Sequence, residues 1–439
     1  MRRICLTLPT NRPCSATIEA IGEEAAYAAE HFDAEVHLLI LDSCEAAAYA
    51  EHAETVRRLP ASERIVVHHI DEAQQRDFLQ RVIGRAGTMK PDLLLDLMLP
   101  DGLSYGACTN RAFLIAVALG CESVHRRDSD SRYQVVDGET VFPIHHELTA
   151  LGRRAAEVAP HVTENALAAQ HEDKRVAMVG SSFVGELSVD IGDILRIDPD
   201  VYYDLVSLWA PAHWSREMKQ ELVDDSFRGA GTDPFVEDHS TLALVDPMRV
   251  DMCNISFHGV HERVPLPPAT DTIGSDYFLI HLVHDAALPG VLHNRNIENF
   301  YTGERRTDAG FRAYQMRYVK FLLSMLYFNS IYDQMAEAGP ALLDDAGQVR
   351  ASVVARLASE STRLDHTENV QRLDALDTAY RKLGGSYAEF ADLLATRRER
   401  LLDEARSDIE DFALLAEAWD SMVRVARRTP VHPSPGRPG

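Results

Sequence analysis

Two aspartates, Asp128 and Asp130, are the residues of this sequence whose spacing most directly indicates chemistry. They lie two positions apart in HRRDSDSRY, just after a short segment that we predict to be a strand at 123–127. Carboxylates at this spacing can reach one divalent cation, and Mg²⁺ or Mn²⁺ commonly takes one or two protein carboxylates together with substrate phosphate oxygens. Aspartate is also a common turn residue, so the pair alone fits an exposed turn as well as a metal site.

The first 130 residues show the alternation of elements that would position such a pair. We predict helices at 15–31, 45–58, 71–87 and 103–120, and strands at 3–8, 35–41, 64–70, 92–99 and 123–127, followed by short strands at 175–179, 242–245 and 254–258. Strands joined by helices of this length pair in parallel, which indicates an α/β sheet.

The character of the chain changes after about residue 310. Apolar residues at three- and four-residue spacing predict a helical region within 311–338, 349–364 and 386–427. These apolar stripes are too long to remain exposed, so we expect them to pack on the rest of the protein or in a homodimer interface. The Pro/Gly-rich residues 429–439 are expected to form a disordered tail.

Composition indicates which classes of binding partner and which cellular compartment suit this protein. The 439 residues carry 68 acidic and 44 basic side chains, a net charge of −24, which argues against a general binder of nucleic acid or of anionic membranes. The six cysteines form no CxxC pair, which favours a reducing cytoplasm over a disulfide framework or a cysteine zinc site. The apolar stretch at the N-terminus is too short for a signal peptide. The sequence contains no run of about 18 apolar residues, so we expect no transmembrane helix.

The order of these features resembles the GT-A family of nucleotide-sugar glycosyltransferases. The resemblance rests on the turn LPTNRP after the first strand, the helix containing GACTNRAFLIAVALG, and the DxD motif after the next strand. It concerns the order of the pattern over about 1–310 rather than close sequence identity. It implies a Rossmann-like mixed sheet flanked by helices, with a nucleotide-sugar-binding half at 1–130 and an acceptor half at 131–310, ahead of the helical region at 311–428.

The resemblance also implies roles for individual residues. In that family the DxD motif chelates the donor diphosphate through a divalent metal, so Asp128 and Asp130 would hold Mn²⁺ or Mg²⁺. The other donor-binding positions that it implies are Pro9, Thr10, Asn11 and Arg12 in the first turn, Asp42 at the end of the second strand, and Asn110 and Arg111 in the helix before the metal strand. For the two arginines, a surface ion pair with one of the many acids is an equal alternative.

A later segment, IGSDYFLIHLVHDAALPGVLHNRNIENFYTGERR, contains three histidines close together. His281 and His284 share a helical face, a spacing that suits zinc, but no HExxH pattern accompanies them. In many GT-A enzymes a late histidine completes the metal shell, and the resemblance points to His293, with His281 as the main rival. An ordinary buried histidine is the alternative.

The same segment holds an acid and a basic cluster. Asp276 resembles the family's acid after the acceptor loop, which removes the acceptor proton in inverting members and needs hydrogen-bond reach of the nucleophile. A helix N-cap is the alternative role for Asp276. The cluster that would neutralise a departing nucleoside diphosphate consists of Arg295, Tyr301, Arg305 and Arg306, unless it is a solvated charge run.

These features predict a cytoplasmic, metal-dependent glycosyltransferase that moves a sugar from a nucleoside-diphosphate sugar to a small polar acceptor. One setting is bacterial specialised metabolism, including GDP-sugar-dependent O- or S-glycosylation in an antibiotic pathway. Two alternatives remain. A sugar-phosphate nucleotidyltransferase would need a Gly-rich, Lys-containing loop after the first strand, which LPTNRPCSA lacks. A non-catalytic nucleotide-sugar-binding protein would use the same fold without the chemistry.

Overall fold

The structure is a computed structural model that describes residues 1–189, 191–300 and 307–431. It has a mixed α/β architecture with a nine-stranded sheet, flanking helices and a C-terminal helical region. Three residues of the predicted basic cluster, Tyr301, Arg305 and Arg306, lie outside the described ranges. No helix within those ranges is long and apolar enough to cross a membrane.

The strands are β1 (Arg2–Thr10), β2 (Ala34–Asp42), β3 (Ile65–Asp71), β4 (Ser123–Arg127), β5 (Ser131–Tyr133), β6 (Val135–Val136), β7 (Glu139–Thr140), β8 (Glu164–Asn165), β9 (Met178–Gly180), β10 (Phe183–Gly185), β11 (Ser240–Ala243), β12 (Asn254–His258), β13 (Gly290–His293) and β14 (Ile297–Asn299). The helices are α1 (Ser15–His31), α2 (Ala46–Arg58), α3 (Glu72–Ala86), α4 (Pro91–Met98), α5 (Tyr105–Ala118), α6 (Ile144–Ala150), α7 (Ala155–Val158), α8 (Gly192–Ile197), α9 (Pro199–Val206), α10 (Arg216–Asp225), α11 (Phe278–Asp285), α12 (Asp308–Ala338), α13 (Ala351–Ser361), α14 (Thr367–Leu383), α15 (Gly385–Ala395) and α16 (Arg398–Ala426).

The strand order of the large sheet reverses between β1 and β4, so β2 and β3 lie on one side of β1 and β4 lies on the other. Its order is β3-β2-β1-β4-β12-β9-β13-β11-β8, and β1 pairs in parallel with β2 on one side and with β4 on the other. The next strand, β12, is antiparallel to both of its neighbours. In open α/β sheets, ligands bind outside the carboxyl ends of the strands at such a switch point. Thr10 and Arg127, the last residues of β1 and β4, mark that position here.

Two of the helix starts in the first half, those of α3 and α5, follow local capping chemistry. Asp71 caps α3 in a capping box with Gln74, and Ser104 caps α5 by accepting a hydrogen bond from the backbone N–H of Ala107. The predicted start of α1 at Ser15 is confirmed, but Cys14 occupies the cap position and its side chain caps nothing. These local signals explain why the predicted elements of this half agree with the structure within a few residues, with one exception.

The exception is the predicted strand at 92–99, which is wrong because this segment forms helix α4. A short apolar run fits a strand or a buried helix equally well by periodicity. Pro91 at the first helical position favours the helix, because its fixed φ and missing N–H suit a helix start. Leu94 and Met98, one turn apart, are both fully buried.

The C-terminal helices share the core of the sheet. One buried apolar cluster extends from Leu39 and Phe113 in the first half to Phe412 and Trp419 on α16. The indole N–H of Trp419 donates to the backbone oxygen of His261 at 3.0 Å, which fixes α16 against the central part of the chain. The helical prediction for this region is confirmed in kind, although α14 falls where no helix was predicted.

The end of the described chain is packed rather than loose. Thr429 and Val431 are buried, and the guanidinium of Arg81 on α3 donates to the backbone oxygens of Pro430 and Val431. Residues 429–431 of the predicted disordered tail are therefore ordered against α3, whereas its residues 432–439 lie outside the described ranges.

Candidate functional site

A cleft of about 390 Å³ opens at the carboxyl ends of β1 and β4. The turn after β1 and the turn after β4 both line it, because parallel neighbouring strands end at the same edge of the sheet. The predicted site residues that the structure brings together in this cleft are Pro9, Thr10, Asn11, Arg12, Arg111, Asp128, Asp130 and Asp276.

Arginines link the carboxylates at this end of the cleft. Arg12 donates from Nη1 to Oδ2 of Asp130 at 2.9 Å. Arg126 lies between two acids, with Nη2 at 3.0 Å from Oδ1 of Asp128 and Nη1 donating to Oδ2 of Asp276 at 2.8 Å. We call residues 9–12, Arg126, Asp128, Asp130 and Asp276 the charged end of the cleft. Arg126 was missed by the sequence analysis, although it stands inside the HRRDSDSRY motif.

The next residue of β4, Arg127, has a different role because successive strand residues face opposite sides of a sheet. Its guanidinium donates from Nη2 to Glu24 at 2.7 Å and from Nη1 to Glu147 at 3.1 Å, and all three side chains are buried. His125 adds a 2.7 Å contact from Nδ1 to Glu147. Burial would raise the pKa of Glu147, but Arg127 and His125 together lower it to about 2. This ionic cluster fixes the strand behind the charged end.

Crowding of carboxylates alters the protonation of the charged end. Burial raises the pKa of Asp128 to about 6; Arg126 opposes this effect, while Asp130, Asp276 and Asp251 add to it. Burial also raises the pKa of Asp276, against the opposing effect of Arg126. A carboxylate in such surroundings is stabilised by a proton or by a cation. The hard oxygen donors of Asp128 and Asp130 therefore fit Mg²⁺ or Mn²⁺.

The predicted third metal ligand, His293, does not line this cleft. It ends β13, its ring stacks on His146 with centroids 5.1 Å apart, and Nδ1 accepts the backbone N–H of Arg295 at 3.2 Å. Burial lowers the pKa of His293 well below its usual value. The structure therefore places His293 in the sheet interior rather than beside the aspartates.

The two other histidines of the late segment separate. His281 lines the cleft and stacks on Tyr332 with centroids 3.9 Å apart, and burial lowers its pKa to about 3, so its imidazole is neutral. His284 contacts the backbone oxygen of Val245 from Nδ1 at 3.0 Å and does not line the cleft. Their shared helical face thus does not bring both rings to one site.

Asn110 was expected to face the donor, but it stabilises the fold instead. Its Nδ2 donates to the backbone oxygen of Leu266, and its Oδ1 accepts the backbone N–H of the same residue, both at 2.8 Å. Gly106, one turn earlier on α5, is required here, because a Cβ would lie 1.9 Å from the backbone oxygen of Pro267. The amide of Asn110 is therefore used to hold the 266–267 backbone against α5.

Arg111 and Arg295 were both expected to contact the donor. Arg111 lines the cleft, but its guanidinium donates to Gln75 Oε1 and to the backbone oxygen of Met98, both at 2.7 Å. Arg295 lies away from the cleft in a bidentate ion pair with Asp238, at 2.7 and 2.8 Å. The two side chains therefore already have structural partners.

Asp42 ends β2 and is buried outside the cleft. Its Oδ2 lies 2.7 Å from Nδ1 of His52 and 2.9 Å from Nε2 of His69, and its Oδ1 accepts the backbone N–H of Cys44. Burial opposes ionisation of Asp42, but the hydrogen bonds outweigh it and hold the pKa well below the usual range. The predicted contact of Asp42 with the donor therefore does not occur at its buried position outside the cleft lining.

Asp42, His52 and His69 are also the one group of three ligating side chains that lies close enough for a metal ion within the described ranges, with donor atoms within 4.8 Å of one another. The backbone N–H of Cys14 donates to Nε2 of His52 at 3.0 Å, so the ring proton of a neutral His52 belongs on Nδ1, facing Asp42. A metal on Nδ1 would move the ring proton to Nε2, where it would face the backbone N–H of Cys14. The cluster therefore fits a hydrogen-bond network better than a metal site.

Aromatic side chains line another part of the cleft. We call Trp209, Phe227, Tyr314, Phe321 and Tyr332 the aromatic wall, because all five line the cleft and the last three belong to α12. Trp209 stacks on Phe227 with centroids 5.4 Å apart and meets Phe321 edge-on at 5.2 Å. The sequence analysis missed these residues, and no local motif marks them.

Comparisons with known proteins show the family. The chain belongs to the family of unknown function DUF6271, whose model matches residues 2–435. No curated protein matches the chain. Among solved structures, the mannosyltransferase PcManGT from Pyrobaculum calidifontis, in complex with GDP-Man and Mn²⁺, is 13% identical with a TM-score of 0.34, over 95% of this chain and 86% of that one. A likeness at that TM-score does not establish a shared fold.

Proposed function

We propose that this DUF6271 protein is a metal-dependent glycosyltransferase that binds a nucleoside-diphosphate sugar at the charged end of its cleft. One observation carries the proposal: the turn after β1 and the DxD pair after β4 line one cleft at the switch point of the sheet. That position is where open α/β sheets bind their ligands. The carboxylate pair adds the means to hold a cation beside a diphosphate.

Asp128 and Asp130 would hold Mg²⁺ or Mn²⁺, which when bound neutralises the charge of the donor diphosphate. Arg12 lies beside Asp130 and supplies guanidinium donors for phosphate oxygens. Arg126 is buried and fixes the orientation of two acids at once. Within the charged end, the two aspartates would therefore bind the metal, Arg12 would bind phosphate oxygens, and Arg126 would orient the acids.

Asp276 would take the proton of the acceptor nucleophile. Arg126 holds one oxygen of its carboxylate, and burial raises its pKa against the opposing effect of Arg126, which makes it a stronger base than an exposed aspartate. The acceptor oxygen would then form the new bond to the anomeric carbon while the bond to the diphosphate breaks. The nucleoside diphosphate leaves with the electron pair, and Asp276 keeps the proton until water removes it.

The test is a thermal-shift and calorimetric titration with UDP, GDP, CDP, ADP and dTDP, each with and without Mn²⁺. We expect one nucleotide to bind only when Mn²⁺ is present, and Asp130→Ala to weaken that binding about 100-fold because a metal ligand is lost. Asp225→Ala is the matched control, since Asp225 is an exposed cleft acid outside the charged end. Absence of nucleotide binding, or equal binding by Asp130→Ala, would contradict the proposal.

A further inference from the structure

We infer that the cleft takes, beside the donor, an aromatic acceptor that carries no negative charge. That this ligand is the acceptor of a glycosyl group rests on the proposed function, whereas the presence of a subsite for an aromatic ligand rests on the geometry of the wall alone. The inference replaces the small polar acceptor expected from the sequence. Three observations support it: the exposure and packing of the aromatic wall, the backbone conformation that presents one of its rings, and the charge of the cleft.

The protein covers the aromatic wall unevenly, because Tyr314 and Phe321 are buried whereas the other three rings are half-buried. Trp209 and Phe227 are half-buried and stack on each other within the cleft lining, whereas core rings such as Phe278 and Phe412 are fully buried. Aromatic rings facing a concave surface bind planar ligands by offset or edge-on stacking, and such pairs are worth about 0.5–1.5 kcal/mol beyond the area that they bury. A ligand ring would complete the packing that the wall begins.

The backbone at Phe227 is strained in a way that presents its ring. Phe227 has φ of +64°, which is an outlier for a bulky residue. Strained backbone persists where the surroundings hold it, and it concentrates at ligand sites. Gly274, which also has positive φ, permits the packing of another wall ring, because a Cβ there would lie 2.8 Å from the ring of Phe321.

A short segment joins the aromatic wall to the charged end. Gly274 packs against Phe321 of the wall, and two residues later Asp276 bonds to Arg126 of the charged end. Consecutive Cα atoms are 3.8 Å apart, so the backbone that packs on Phe321 and the backbone that carries Asp276 are separated by less than about 8 Å. The hydroxyl of Tyr277 donates to Asp251, which adds a further carboxylate at this junction.

The charge of the cleft sets the charge of the acceptor. Counted over the described residues, seven acidic side chains and three arginines line the cleft. The two negative charges of a donor diphosphate and the two positive charges of a divalent ion cancel, so the excess of carboxylates remains after the donor binds. An anionic acceptor would be repelled by this field, whereas a neutral or cationic one would not.

The test uses the full chain and two fluorescent coumarins. The probe is 4-methylumbelliferone, an uncharged aromatic alcohol while its hydroxyl is protonated, and its charged counterpart is 7-hydroxycoumarin-4-acetate. We expect the first to bind saturably in calorimetric titrations and the second at least tenfold more weakly. Absence of saturable 4-methylumbelliferone binding, or equal or tighter binding of the acetate, would overturn the inference without any variant.

Two variants place the binding on the wall. Trp209→Ala should weaken 4-methylumbelliferone binding about tenfold, as expected for the loss of one stacking partner. Trp214→Ala is the matched control, because Trp214 does not line the cleft, and it should bind like the wild type. Equal affinity of Trp209→Ala and wild type would contradict the assignment.

The same titrations separate this inference from the proposed function. Binding of the Mn²⁺-dependent nucleoside diphosphate should be unchanged in Trp209→Ala, because the residue lies outside the charged end. If the coumarin binds but no nucleoside diphosphate does, the aromatic subsite stands and glycosyl transfer fails. If the nucleotide binds and the coumarin does not, the reverse holds.

Discussion

The charged end and the aromatic wall of the cleft are built in opposite ways. The charged end consists mainly of short turns that directly follow β1 and β4, and its side chains are tied to one another by ion pairs between 2.8 and 3.0 Å long. The aromatic wall joins Trp209 and Phe227 from the middle of the chain to three residues of α12. Its rings stack and meet edge-on, and one of them sits on strained backbone.

This difference indicates a division between chemistry and selection. Ion pairs at the ends of central strands hold charge in fixed positions, which suits a step in which charge develops. Aromatic surface is less directional and tolerates a range of planar ligands. We therefore expect changes at the charged end to affect turnover and donor binding, and changes at the wall to affect the acceptor. The following experiments test that separation, from the largest expected effect to the smallest.

Asp276→Asn should lower turnover by about 10²–10⁴-fold while donor affinity stays unchanged. The amide keeps the shape of the side chain and a hydrogen-bond acceptor for Arg126, but it cannot take a proton. Turnover is measured with 4-methylumbelliferone and the sugar donor of the nucleotide that binds. Asp285→Asn is the control, since Asp285 also has a pKa raised by burial, to about 6, but lies outside the cleft lining. Wild-type turnover in Asp276→Asn would remove this residue from the mechanism.

Arg127→Met should lower the free energy of unfolding by about 3–5 kcal/mol, because it leaves Glu24 and Glu147 buried without their cation. Donor affinity should change little, since Arg127 faces away from the cleft. Urea denaturation measures the first quantity and calorimetry the second. Arg126→Met, one residue earlier on β4, should also lower stability, because it leaves Asp276 buried without its cation, but it alone of the two variants should weaken donor binding. Equal loss of donor affinity in the two variants would show that the strand does not separate core from site.

Donor binding should depend on pH, whereas binding of the uncharged coumarin should not. Burial raises the pKa of Asp128 to about 6, so the carboxyl gains a proton and loses its charge below that pH. Mn²⁺-dependent nucleotide affinity should then fall about tenfold for each unit below pH 6. For folding the sign is reversed: the stability that this proton contributes is present at low pH and is lost as the pH rises through about 6. Asp128→Asn should remove the step in donor affinity, and a step that remains would belong to another group.

Phe227→Gly should be more stable than Phe227→Ala by about 1 kcal/mol, although both lack the ring. Glycine adopts positive φ without steric cost, whereas a Cβ in the left-handed region costs about 1–2 kcal/mol. Thermal denaturation of the two variants isolates the backbone strain from the lost stacking on Trp209. Equal stability of the two would mean that the strained backbone relaxes once the ring is removed.

The sequence predicts the charged end of the cleft better than the aromatic wall, for a physical reason. The pair Asp128 and Asp130 follows a strand, and the turn at 9–12 follows its parallel neighbour, so chain proximity alone carries both to the same sheet edge. The short strand ending at Arg127 was predicted within its observed bounds. The wall had no such signal, since Trp209 and Phe321 are more than a hundred positions apart and each fits an ordinary core position.

Side-chain partners account for the other differences. Asn110, Asp42 and Arg295 were each expected to contact the donor, yet each meets a partner from a distant part of the chain. The amide of Asn110 donates to the backbone oxygen of Leu266, and the carboxylate of Asp42 contacts the ring of His69. The guanidinium of Arg295 donates to the carboxylate of Asp238. Spacing along the chain cannot reveal such partners, because hydrogen bonds form between atoms that only packing brings within 3 Å.

By itself, the sequence determined the alternation of strands and helices in the first 130 residues, the helical C-terminal region and the carboxylate pair at a strand end. These follow from local periodicity and turn chemistry, which act over a few residues. Only the tertiary structure decided that 92–99 is helical, that His293 lies away from the aspartates, and that α12 completes the cleft with aromatic rings. Those outcomes depend on which surfaces are buried against each other, and burial is a property of the whole packed chain.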